Sequence, residues 1–173
     1  MQIRSHWIFD CQPQHIWPNF LHSTMDDSRP LLFRFGIPKP VSCKVLEGYG
    51  AVGHTRQCTT DLGTIDQRIL AFEENRLLRY RMIRSTVWCR DWVGHLEDEF
   101  TLTPLAGGQT KVERQTEFRA DGWFRPLRQI ALWVALRQAH VYAARNWRRL
   151  AMARKGGMPA APFLAKRTAG EKP

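Results

Sequence analysis

Tyr80, Asp98, Arg114 and His140 are the side chains whose types and positions could grip or activate a polar group. Arg114 stands in the stretch TKVERQTEF, residues 110–118, which alternates in the manner of a strand. Lys111, Glu113, Gln115 and Glu117 form its wet face, so Val112, Arg114, Thr116 and Phe118 form the face that meets the core. In the preceding strand Leu96, Asp98, Phe100 and Leu102 share one side, and Asp98 is a second charge among apolar neighbours. If the intervening loop is LAGG or close to it, the hairpin sets Asp98 opposite or diagonal to Arg114, and the two anomalies become one pair. An arginine fork can hold a carboxylate with two hydrogen bonds and still present donors to a ligand carbonyl, phenolate or carboxylate. Tyr80, between Leu78 and Met82, adds a hydroxyl. The competing reading is a structural ion pair near the end of the sheet.

These residues need elements to hold them. IRSHWIFDC reads as a first strand with Ile3, Ser5, Trp7 and Phe9 on one face. PQHIWPNFLHST repeats Ile16, Phe20 and Leu21 at helical spacing, and Pro18 makes any helix there short or bent. SRPLLFRFG suggests a second short helical piece, ended by Gly36 and by the prolines at 38 and 40. Six strand-like segments follow, VSCKVLE, HTRQCTT, TIDQRILAF, RLLRYRMI, a long run through VWCRDWVGHLEDEFTLT, and TKVERQTEF. Polar or glycine-rich breaks separate most of them, as in an antiparallel meander. From about Pro126 to Lys155 the period becomes helical, with Leu132, Leu136, Ala139, His140, Ala143, Trp147 and Leu150 on one face. His140 is the strongly polar member of that face, either a core histidine satisfied by a backbone carbonyl or a group turned to a ligand. Trp88, Trp92 and Trp123 fit cavity walls and core equally well.

The order strand, two short helices, six strands, long helix resembles the helix-grip fold of the Bet v 1-like and START-related superfamily (SRPBCC), particularly its polyketide cyclase/dehydrase-like group. The resemblance covers about residues 3–152 and rests on the opening strand with PQHIWPNF, on GTIDQRILAFEENRLLRY, and on EDEFTLTPLAGGQTKVERQTEF leading into the long helix. It implies an α+β fold in which a curved antiparallel sheet of about seven strands wraps a long C-terminal helix. A curved sheet covered by one helix leaves space between them, and that space is the natural pocket. The expected organisation is a single domain over residues 1–155 and a flexible tail over 156–173, where Gly, Pro and small residues show no period.

Other patterns carry less. GYGAVG at 48–53 satisfies G-x-G-x-x-G, but HTRQCTTDLG follows it where a dinucleotide fingerprint needs a helix, so the glycines read as a turn between strands. None of the six histidines stands in a metal-binding spacing and no Cys-x-x-Cys occurs; no metal and no cofactor are expected. No G-x-S-x-G appears, and no activated nucleophile is visible. Cysteines 11, 43, 58 and 89 are scattered, which suggests reduced thiols, and with no visible secretory signal a cytoplasmic location is expected. The run IALWVAL is too short to span a bilayer. Net charge is +10, and residues 121–155 carry eight basic side chains against Asp121 alone. Because Arg137, Arg145, Arg148 and Arg149 fall opposite the apolar face, a solvated surface explains them, and no specific nucleic-acid partner is expected.

The expectation is therefore a binder of an apolar or aromatic small molecule with a polar group, held between sheet and helix by Tyr80, Leu96, Asp98, Phe100, Arg114, Phe118, Leu136, His140 and Trp147. The alternative, which the resemblance implies, is a cyclase, aromatase or dehydratase acting in the same cavity, with Arg114, Asp98, Tyr80 and His140 polarising carbonyls or moving protons. Homodimerisation is left open.

Overall fold

A computed structural model describes residues 1–157. Its elements run β1 (Gln2–Phe9), α1 (Pro13–Ile16), α2 (Pro18–Leu21), β2 (Ser23–Thr24), β3 (Pro40–Val45), β4 (Thr55–Thr60), β5 (Gly63–Glu73), β6 (Leu77–Ser85), β7 (Val93–Pro104), β8 (Thr110–Ala120) and α3 (Arg125–Lys155). The strands form one antiparallel sheet in the order β1-β8-β7-β6-β5-β4-β3-β2, curved as a half-barrel around α3. This is the α+β helix-grip fold, with eight strands because the two-residue β2 adds an edge that sequence periodicity could not register.

Alternation does what the sequence requires. Along β8, Thr110, Val112, Arg114, Thr116, Phe118 and Ala120 are buried, and their neighbours are not. Pro18 starts a new helical turn instead of continuing α1, because its ring cannot follow within a helix. Leu31–Phe35 is a 3-10 helix closed by Gly36 at φ +84°. Residues 87–92, expected as the start of a long strand, instead form a turn and the 3-10 helix Arg90–Trp92 before β7 begins at Val93. The glycines of GYGAVG do turn the chain between β3 and β4: Gly48, Gly50 and Gly53 have φ of 56°, 98° and 90°. A Cβ at Gly50 would also press within 3.1 Å of Phe72.

The cysteines correct an expectation. Cys43 and Cys58 form a disulfide rather than free thiols, because the β3–β4 register sets them directly opposite, Cα atoms 4.1 Å apart. Their separation of 15 residues hides that register in the sequence. Cys11 and Cys89 are free.

The core divides between sheet and helix. Phe9, Phe20, Phe33, Ile69, Leu78, Phe100, Val112 and Trp147 belong to the main cluster, and Ile3, Phe118, Ala120 and Leu132 to a smaller one. The C-terminal half of α3 is fastened down. Asn146 Oδ1 accepts from the Asp26 backbone N–H at 2.8 Å, Tyr142 Oη donates to Asp26 O at 2.7 Å, and Arg154 Nη1 donates to Asn19 Oδ1 at 2.5 Å. Its first turns are looser, with only Leu132 buried before His140, and Leu127, Ile130 and Trp133 exposed. Arg137, Arg145, Arg148 and Arg149 lie exposed on the outer face. Among the described residues no helix is long and apolar enough to cross a membrane. The expected tail, apart from Gly156 and Gly157, lies outside the described residues.

Candidate functional site

Between the sheet and α3 lies a cavity of about 170 Å³. Leu132, Ala135, Leu136, Ala139, Ala143 and Trp147 come to it from the helix, at the i, i+3, i+4 and i+7 spacing that puts one face of α3 inward. Strand residues supply the opposite wall, and Ile37, Pro38 and Val87 come from the loops beside the 3-10 helices. Trp88 Nε1 donates to Gly36 O at 2.9 Å and ties those two loops together. A larger open depression of about 700 Å³ at the sheet edge, near Met1, Glu117 and Arg125, has no such apolar enclosure and does not reach these residues.

One polar wall of the cavity is the β7–β8 hairpin. Phe100 pairs opposite Arg114 and Asp98 opposite Thr116, so Asp98 and Arg114 sit diagonally across the ladder. Arg114 Nε donates to Asp98 Oδ1 at 2.8 Å and Nη2 to Oδ2 at 3.1 Å, a two-bonded fork that leaves Nη1 outside the pair. The guanidinium also lies 5.2 Å over the Phe100 ring. Burial pushes the Asp98 carboxyl upward, but Arg114, with help from Thr116, outweighs that and holds it below its ordinary value. Arg114 is likewise pulled down by burial and raised, on balance, by Asp98. Both stay charged.

His140 does not line the cavity; it stands behind the pair. Its Nε2 is 2.7 Å from Thr116 Oγ1, and its Nδ1 is 2.9 Å from Ser5 Oγ. Thr116 gives its single hydroxyl proton to Asp98 Oδ1. It must therefore accept from His140, which fixes the Nε2–H tautomer and makes Nδ1 the acceptor for the Ser5 hydroxyl. Arg137 Nη1 in turn donates to Ser5 Oγ at 3.1 Å. A chain of hydrogen bonds thus runs from Arg137 through Ser5, His140 and Thr116 to Asp98. Burial, reinforced by the Arg114 charge, drives the imidazole down to about 3, so it is neutral at ordinary pH. With both nitrogens bonded and no cavity contact, it positions Asp98 rather than serving as a proton carrier to a ligand.

The other polar wall comes from β4 and β5. Arg56, 2% exposed, pairs opposite Gln67 in the β4–β5 ladder. Its Nε donates to Phe20 O at 2.7 Å, while its Nη1 meets Gln67 Oε1 and Cys58 Sγ. The guanidinium packs 4.7 Å over the Tyr80 ring. Tyr80 pairs opposite Asp98 in the β6–β7 ladder, so it lies between the two arginines. Burial is the largest influence on its phenol and moves it up to about 12; the hydroxyl keeps its proton and remains a donor. Trp147 also lines the cavity, and its indole Nε1 has no hydrogen-bond partner.

Of the residues expected at a ligand, Tyr80, Leu96, Asp98, Arg114, Leu136 and Trp147 line the cavity. Phe100, Phe118 and His140 do not: Phe100 stacks on Phe20 at 4.7 Å, Phe118 sits in the smaller core cluster, and His140 joins the relay. Arg56 was not anticipated. Thr-Arg-Gln-Cys-Thr-Thr is polar at almost every position, so neither face of β4 announces itself as the core side, and only the pairing with Gln67 and Phe20 reveals it.

Solved structures with this architecture include the Zhui aromatase/cyclase from Streptomyces sp. R1128 (14% identity, 90% of this chain and 95% of that one, TM-score 0.67). Ara h 8.0201 (14%, 88% and 98%, TM-score 0.60) and a START superfamily protein from Mycobacterium smegmatis (10%, 84% and 96%, TM-score 0.55) also share it. At these identities the likeness is one of fold. No curated protein matches the chain. Residues 34–152, which carry every strand from β3 onward and nearly all of α3, match the family described as polyketide cyclase / dehydrase and lipid transport, and the chain belongs to that family.

Proposed function

We propose that the protein binds an apolar or aromatic small molecule in the cavity between sheet and α3, with the molecule's polar group at the Tyr80–Asp98–Arg114 end. The observation that carries this reading is an apolar cavity whose wall includes charged and donor groups that the fold leaves only partly used. Leu96, Leu136 and Trp147 contact the ligand body, while Phe100 and Phe118 support the wall from behind. The domain that does this spans residues 1–155. Mass spectrometry of small molecules released by denaturing the purified protein tests the reading. Ala139→Phe, which fills the cavity, should yield folded protein without the released ligand; equal recovery from that variant would place the ligand elsewhere.

A second reading, a cyclase- or dehydratase-type enzyme, draws support from the family and from the donors of Tyr80 and Arg114, which could polarise a ligand carbonyl. His140 and Asp98 are poor proton movers in this setting, one locked neutral and the other held ionised by Arg114. In this reading catalysis is electrostatic. Turnover assays on the recovered ligand discriminate: loss of turnover with retained binding in Tyr80→Phe supports the enzyme.

A further inference from the structure

The charged residues lining the cavity are Arg56, Arg114 and Asp98. Two positive charges thus face one negative, and the negative one is committed to Arg114 by both of its oxygens. Arg56 forms no ion pair with any of the described residues; its acceptors are a backbone carbonyl, an amide oxygen and a sulfur, all neutral. Arginine cannot escape burial by losing its proton. A buried cation without a counter-charge is costly, and native folds pair such groups or use them to hold ligands.

We infer that the cavity takes an organic anion of about one ring, an aromatic or alicyclic carboxylate or phenolate, whose charge Arg56 neutralises. This rests on the binding reading above, extends its polar end through Tyr80 to Arg56, and adds the charge and size of the ligand. The size follows from the volume: about 170 Å³ is close to an engineered apolar cavity of about 150 Å³ that holds benzene. The charge follows from the residual positive charge of the wall. Tyr80, packed beneath Arg56, offers a neutral donor to the same anionic head. Leu132, Leu136 and Val93 offer the ring an apolar surface. The Asp98–Arg114 pair sets the opposite limit, since a second anionic group would meet the Asp98 carboxylate. A mono-anion therefore fits better than a dianion.

Titration calorimetry of the full chain with benzoate and with benzamide, which share a ring and differ in head charge, tests this at constant ionic strength. Benzoate should bind at least tenfold more tightly, and Arg56→Met should bring the two affinities together while benzamide binding persists. Should Arg56→Met fail to fold, 4-nitrophenol on the native protein gives the same answer. Its absorbance titration should move to lower pH on binding, by a tenfold or greater shift in its ionisation constant, because the site favours the phenolate. Benzamide binding as tightly as benzoate, or an unshifted nitrophenol titration, would overturn the anion and leave the small-molecule reading standing. Chloride displacing benzoate at equal concentration would assign Arg56 to inorganic anions and end the proposal. If none of the three ring compounds binds while the protein releases some larger molecule on denaturation, the size inference fails alone; if nothing is released either, the binding reading falls with it.

Discussion

Arg114 and Arg56 reach one cavity from different parts of the same sheet, and their surroundings could hardly differ more. Arg114 is clamped by a carboxylate that Thr116 holds, and Thr116 is backed in turn by His140 and Ser5. Arg56, equally buried, rests on a carbonyl, an amide and a sulfur. The first arrangement has its counter-charge without a ligand and the second does not. A buried charge whose partners are all supplied by the fold mostly shapes its surroundings; one left uncompensated points to something that arrives from outside.

The largest expected effect is on the completed side. Asp98→Ala leaves Arg114 as a second unpaired buried cation and strands the Thr116 hydroxyl, and should cost about 3–5 kcal/mol in chemical denaturation. Replacing both partners by apolar residues, Asp98→Leu with Arg114→Met, should recover most of that loss. A double variant no more stable than Asp98→Ala would mean that the pair is not a closed unit.

A pH series sharpens the contrast next. In the unfolded chain His140 takes a proton near its ordinary 6.5, whereas in the fold it does so only at about 3. The unfolded state therefore binds the extra proton throughout that window, and stability falls as the pH drops through it, by up to about 5 kcal/mol over the whole window. Asp98, whose folded value is depressed, contributes stability above its unfolded value near about 3.9, and this is lost only below that point. Urea midpoints at about pH 7 and about pH 4 should therefore differ strongly in the native protein and less in His140→Gln, where His22, also lowered by burial, keeps part of the dependence.

Arg56→Met should change stability by only about 1 kcal/mol or less in the absence of ligand. It removes the hydrogen bonds to Phe20 O, Gln67 Oε1 and Cys58 Sγ, and the removal of an uncompensated buried charge offsets that loss. A loss as large as that of Asp98→Ala would erase the distinction between the two arginines. Smallest of all, Tyr80→Phe keeps the ring beneath Arg56 and should leave the unfolding free energy unchanged to within about 0.5 kcal/mol, yet weaken benzoate by several-fold.

Much of this was legible in the residues. The buried side of β8, the meander, the inward face of α3 and the meeting of Asp98 with Arg114, opposite or diagonal, all follow from periodicities of 2 and 3.6 and from a short glycine-rich turn, and the register made it diagonal. Those signals are local: each depends on a dozen neighbouring positions and a single hairpin. Phe100 shows the limit, for alternation put it correctly on the inner face but could not tell cavity wall from the core behind it.

What the chain alone determined, then, is which side of each element faces inward, because the hydrophobic effect acts on every strand and helix turn separately. Tertiary structure decided what meets on that inner side. Ser5 reaches His140 across 135 residues, Arg56 finds the Phe20 carbonyl across 36, and Cys43 finds Cys58 through a strand register that no periodicity encodes. Burial and partnership are pairwise properties of distant segments. The neutral state of His140 and the missing counter-charge of Arg56 could emerge only once the sheet had closed around α3.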